Sequence, residues 1–202
     1  MTTARDLLFV TLDVPSSRPV EQGDLSLALA GAELADLIAD EALVLDDDDR
    51  ILPGLRPTTG DRLLDEAAAA LVRQAPYESV EDWLWRRGRG LASAYATDLE
   101  AEGRAPGSRH RWMPLRSERP APADSPARRH AADRWASREP VLTGLAAALG
   151  IPEGAAEEPA DPADDALVSV LAAVNHALTE LEAVRQRRRI EDAAYDNVWR
   201  AP

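Results

Sequence analysis

Near its end the chain carries Leu167, Leu171, Val174, Leu178 and Leu181, spaced four, three, four and three residues apart. Spacing that alternates between three and four keeps apolar side chains on one stripe of an α-helix, and such a stripe is buried along a neighbouring helix. The pattern predicts one long helix over 165–199. It includes a basic cluster, "RQRRR", at 185–189. A helix of that kind needs other helices to pack on, so the fold must be looked for as a helical bundle.

The rest of the chain supplies them. Residues 23–43 place Leu27, Ala30, Leu34, Leu37 and Ile38 at helical spacing, with Asp24 as the expected N-cap. An Ala-rich helix is predicted within 58–74, opening at a Gly-Asp turn. A helix over 77–88 starts at Ser79 with Asp82 three residues on, a variant of the capping box. Residues 89–103 hold Leu91, Tyr95 and Leu99 on one stripe, with Gly103 as the stop. Two short helices within 124–150 are separated at Pro140. Residues 5–14, "RDLLFVTLDV", are a short apolar segment that fits a helix or a strand. Residues 43–52 read as two short strands around an acidic turn; four consecutive Asp, 46 to 49, lack the alternating ligands and central Gly of a calcium loop. Residues 104–128 are rich in Pro, Ser and Arg and suggest an exposed hairpin or loop. Residues 151–165 read as an acidic Pro-rich linker. The expected fold is mainly α: a single-domain helical bundle over 1–202 with short β-hairpins.

Composition narrows the function. There is no cysteine, which excludes disulfides and Cys-based metal or redox sites. All 23 basic residues are Arg, and the use of Arg and Ala suggests a GC-rich bacterial genome. The N-terminal apolar stretch is broken by Asp13 and makes a poor signal peptide. No run approaches the roughly 18 uninterrupted apolar residues of a membrane-spanning helix. The expectation is a soluble, cytoplasmic protein.

The net charge is -13, yet residues 82–90 read "DWLWRRGRG". Between Trp83 and Arg138 there are 12 Arg against 6 acids, a local surplus of six. Trp83 and Trp85, two apart on a helix, cannot both face the same way, so one is expected in the core. Arginine forks bind phosphate oxygens in pairs, and Trp favours the headgroup boundary of a membrane. Arg86, Arg87 and Arg89 are therefore the candidate anion-binding residues. The competing reading is that these arginines pair with the abundant acids.

Catalytic groups are scarce. Cys and Lys are absent as nucleophiles, and His110, His130 and His176 show no His-x3-His or His-Glu-x-x-His spacing. Glu33, Asp36 and Asp40 share a helix face, as do Asp61, Asp65 and Glu66; the expectation is that both sets are ordinary solvated acids. The glycines form no phosphate loop. An acidic second helix and an all-Asp turn repel DNA, so a winged-helix reading of 23–52 fails.

The segments "DLLFVTLD", "LSLALAGAELADL", "PTTGDRLLDEA" and "SVEDWLWRRGRGLASAYATDLEAEG" occur in that order over most of the chain. Together they resemble the Golgi phosphoprotein 3 family, including its bacterial members. The resemblance implies one mainly helical domain with an exposed β-hairpin. It implies a peripheral membrane protein, since eukaryotic members bind phosphatidylinositol 4-phosphate through a basic pocket and engage cytoplasmic tails of membrane glycosyltransferases. By the same resemblance the pocket arginines fall at positions 30, 89 and 92 and its tryptophan near 21. Here those positions hold Ala30, Arg89, Ala92 and Glu21, so only Arg89 matches. Trp112 and Met113 lie where the family's hairpin is expected and are candidate contacts with membrane or with a second copy.

The reading is a non-enzymatic peripheral protein that binds anionic phospholipid headgroups at the inner face of the membrane, with no cofactor and no nucleic acid. Membrane-protein tails and a homo-oligomer are the further expected partners. The alternative is a protein-interaction adaptor that has lost specific lipid binding.

Overall fold

The computed structural model describes residues 1–55, 59–101, 125–152 and 164–200, with side chains through 193. Among them are eight α-helices and one two-stranded hairpin. They run in the order α1 (Thr3–Asp13), α2 (Gln22–Ala39), β1 (Leu43–Leu45), β2 (Ile51–Pro53), α3 (Arg62–Ala70), α4 (Val80–Arg87), α5 (Leu91–Ala101), α6 (Pro126–Ala136), α7 (Pro140–Ala148) and α8 (Asp165–Arg200). The fold is mainly α, as the sequence predicts. The expected second hairpin and the residues Trp112 and Met113 lie outside the described residues.

Helices α1 and α2 form the centre. Every residue of α1 from Thr3 to Val10 is buried, and so is all of α2 from Asp24 to Ala35. A helix that is buried all round must be wrapped by others. Here α6 and α7 pack on α1, while α3, α4, α5, α7 and α8 pack on α2. The segment 5–14, which fits a helix or a strand by sequence, is helical through Asp13, with Val14 as the extended C-cap. Thr2 caps α1 by accepting a hydrogen bond from Arg5 N. The Asp36 carboxylate accepts from Thr3 N at 2.9 Å and from Ala4 N at 3.3 Å, so α2 caps the free amides of α1 from the side. Burial pushes the Asp36 carboxyl up to about 6, against the pull of these hydrogen bonds.

Helix α8 lies antiparallel to α2. A Cβ added to Gly31 would sit 2.4 Å from Val174 Cγ2, and one added to Gly23 would meet Arg185 and Leu181, so sequence rises on one helix as it falls on the other. Val170, Val174, Ala177 and Leu178 are buried, and Leu167, Leu171 and Leu181 pack against the same core. This is the stripe that the four-three spacing predicts. By length and composition α8 could cross a membrane; in this fold it lies on α2, α7 and α4.

Local signals behave as the residue types dictate. The Ser79 hydroxyl accepts from Asp82 N at 3.0 Å and donates to Asp82 Oδ2 at 2.8 Å. Pro140 opens α7, where its missing N–H costs nothing, and Glu139 caps Val141 and Leu142. The hairpin pairs Val44 with Leu52, and the Asp46 carboxylate ties its acidic turn by accepting from Asp48 N and Arg50 N. One cap differs from expectation. α2 begins at Gln22, with Glu21 at the cap position, and Asp24 lies inside the first turn. Asp24 is buried and accepts a 2.6 Å bond from Arg185 Nη1, so the long helix α8 takes the carboxylate that local spacing assigned to capping.

The α2–α8 approach generates a test. Gly31→Ala places a methyl group inside contact distance of Val174 and is expected to cost roughly 1–3 kcal/mol, although Ala is the better helix former by about 1 kcal/mol. Urea denaturation measures it, and Val174→Ala in the same chain should recover part of the loss. An unchanged midpoint for Gly31→Ala would contradict the close approach.

Candidate anion-binding elbow

The strip "DWLWRRGRG" forms α4 and the elbow that leads into α5. Ser79 fixes where α4 starts, and this sets which way each later side chain points. Trp83 is completely buried, and its indole Nε1 donates to the Ala30 carbonyl at 3.2 Å. Trp85, two residues on, is half-buried against the core edge. The pair thus divides as helical geometry requires.

The three arginines also divide. Arg87 reaches inward and makes a two-pronged bond to Glu33, at 2.7 and 2.8 Å, with a third bond to the Leu63 carbonyl at 3.0 Å. Glu33 is fully buried and also accepts from the Tyr95 hydroxyl at 3.1 Å. Burial pushes the Glu33 carboxyl above its usual range, and Arg87 pulls it back. Burial, followed by the Glu33 charge, raises the Tyr95 hydroxyl well above its ordinary value. Arg86 lies on the outer side. Its guanidinium stacks 5.1 Å from the centre of the Trp83 ring, grips Glu78 twice at 2.6 Å and donates to the Ala70 carbonyl at 3.2 Å.

Arg89 is different. It is exposed, and its side chain has no partner among the described residues. It stands between Gly88 and Gly90 on the elbow itself. Gly90 has φ +72, a left-handed conformation that lets the chain turn at once into α5. The first turn of α5 is tied to α2: Ala92 N donates to Ser26 Oγ at 3.1 Å, and Ser93 accepts from the Gln22 side chain. The elbow therefore rests on the same end of α2 that meets Leu181 and Arg185 of α8.

Ala30 and Ala92, where the family resemblance expects arginines, are both completely buried. Their positions are filled by close packing, and Ala30 offers only its carbonyl, to Trp83. Glu21, at the expected tryptophan position, pairs with Arg185 at 3.1 Å. A separate shallow groove of about 360 Å³ lies between α7 and α8, lined by Arg18, Asn175, Thr179, Glu182 and Gln186 among others. It contains none of the strip residues.

Two acid sets expected to be solvated carry structural work instead. Glu33 and Asp36 serve the core as described, and Asp40 alone of that set is exposed. Asp61 caps α3 and pairs with Arg5, whose guanidinium also meets Asp98; Asp65 accepts from Thr59 N and Thr59 Oγ1 at 2.9 Å. Of this second set, only Glu66, paired with Arg62, lies on the surface in the expected way. The signal for Glu33 was its place inside the apolar run "LALAGAELADL", where a carboxylate must find a partner. The sequence does not say that this partner is a cation 54 positions away.

The division predicts different costs for neighbouring substitutions. Arg87→Ala strands a buried carboxylate and should destabilise the protein by about 3–5 kcal/mol. Arg86→Ala opens a site where Arg86 is 43% exposed and Glu78 9% exposed; solvent can reach the freed carboxylate, so the cost should be smaller, about 1–2 kcal/mol. Glu33→Gln added to Arg87→Ala removes the stranded charge and should restore part of the loss. Equal costs for Arg86 and Arg87 in urea denaturation would contradict the assignment.

No curated protein matches the chain. The family model described as Golgi phosphoprotein 3 (GPP34) matches residues 4–202, nearly its whole length. With helices, hairpin and elbow falling inside that span, the chain belongs to the Golgi phosphoprotein 3 family.

Proposed function

We propose that this protein is a non-enzymatic peripheral membrane protein whose α4–α5 elbow binds anionic phospholipid headgroups at the inner face of the membrane. The observation that carries the reading is Arg89: an exposed guanidinium without a partner among the described residues, held between two glycines at the start of a helix. A free guanidinium can fork onto phosphate oxygens, and the first amides of α5 add a favourable dipole. Arg86, half-exposed over Trp83, is neutralised by Glu78 and braces the elbow beside it. Arg87 belongs to the core and supports the elbow from beneath.

This arrangement favours electrostatic binding with little choice among headgroups. A cage specific for phosphatidylinositol 4-phosphate would need several converging cations, and Ala30 and Ala92 supply none. The same two alanines favour the second reading, an adaptor that engages membrane-protein tails, alone or as a homo-oligomer, without specific lipid binding.

Vesicle flotation separates the two. Each basic residue near an anionic leaflet gains about 1 kcal/mol, so Arg89→Ala should weaken binding to anionic vesicles about fivefold. The binding should fall with added salt and be absent on neutral vesicles. Binding that ignores Arg89→Ala would remove the elbow from the account. No binding to any vesicle would leave the adaptor reading in its place.

A further inference from the structure

The α4–α8 contact brings together three side chains that the elbow does not use. Glu81 lies in the first turn of α4, and His176 and Glu180 are one helical turn apart on α8. One ligand atom from each lies within 4.8 Å of the other two. We propose that Glu81, His176 and Glu180 form a surface site for a divalent transition-metal ion of the zinc class, clamping α8 to α4.

Charge is the first argument. Among the described residues several inward-facing acids have an arginine: Glu33 has Arg87, Glu78 has Arg86, and Asp24 has Arg185. Here neither glutamate pairs with an arginine among the described residues. Glu180 meets only His176, at 3.5 Å, and the Glu81 carboxylate has no hydrogen bond or ion pair among them. Two carboxylates facing each other repel, and a dication between them turns that repulsion into attraction.

Geometry is the second. Donor atoms about 2.0–2.2 Å from a tetrahedral ion stand roughly 3.4 Å from one another; His176 and Glu180 are already 3.5 Å apart, and no pair has to close by more than about 1.4 Å. The backbones are already fixed. Val80, Trp83 and Leu84 anchor α4 in the core, and Val174, Ala177 and Leu178 anchor α8. Only the outer ends of the side chains must move, and those of His176 and Glu180 are 62% and 44% accessible.

Ligand type is the third. An imidazole nitrogen beside carboxylate oxygens suits zinc or nickel better than magnesium or calcium, which take oxygen alone. Three protein ligands leave one position for water. The sequence hides this site because Glu81 and His176 are far apart along the chain and only the packing of α4 on α8 joins them.

Calorimetric titration of the tag-free full chain with Zn²⁺, beside Mg²⁺ and Ca²⁺, is the test. One Zn²⁺ per chain is expected, with His176→Ala and Glu81→Gln each weakening binding by at least about tenfold. Zn²⁺ should also raise the melting temperature of the unchanged protein and not that of His176→Ala. All three side chains lie at the surface, so the variants should fold, which circular dichroism checks. The double variant His110→Ala/His130→Ala should bind as the parent does. The proposal is overturned if no Zn²⁺ binds, which would leave His176–Glu180 a simple surface pair. It is equally overturned if binding survives His176→Ala, if it is lost in the His110/His130 variant, or if Mg²⁺ or Ca²⁺ binds as tightly as Zn²⁺.

Discussion

A carboxylate in the buried stretch of α2 needs a partner, and Glu33 is met by the cation of Arg87. The pair does more than cancel charge. The same guanidinium bonds the Leu63 carbonyl of α3, and the same carboxylate holds the Tyr95 hydroxyl of α5. One ion pair thus fixes α3, α4 and α5 against α2. A nonpolar pair of similar size could be as stable, but it would not specify the angle of α4 by directed bonds.

That angle decides what the surface offers. With Arg87 drawn inward, Trp83 seats on the Ala30 carbonyl and Arg86 swings over its ring to Glu78. The chain then turns at Gly90, and Arg89 is left outside. Three arginines within four residues therefore play three parts: a core cation, a surface staple and an exposed charge. An acidic protein can gather Arg and Trp in one strip because most of that strip holds its helices together.

The fold was largely legible because its signals are local. The four-three stripe of α8, the Ser79 cap and the Pro140 break each rest on residues a few positions apart, and each appears where expected. The site was legible only in part. Arg89 could be named from its neighbours, whereas the partners of Arg87 and Arg86 depend on how α2 and the 70–78 segment return to α4. Asp24 shows the same limit: its spacing matches an N-cap, and Arg185, 161 residues away, claims it instead. Charges of opposite sign attract across any sequence distance, so periodicity says nothing about which of 36 acids a given arginine will meet.

The central claim is that Arg87 is a structural cation and Arg89 a free one, and nuclear magnetic resonance of the arginine Nε–H groups tests it most directly. The Arg87 signal should exchange slowly with solvent and stay in place when a soluble inositol phosphate or anionic micelles are added. The backbone signals of Gly88 to Ser93 and the Arg89 side chain should shift together. A rapidly exchanging Arg87 that responds to the anion, with Arg89 unmoved, would contradict the account.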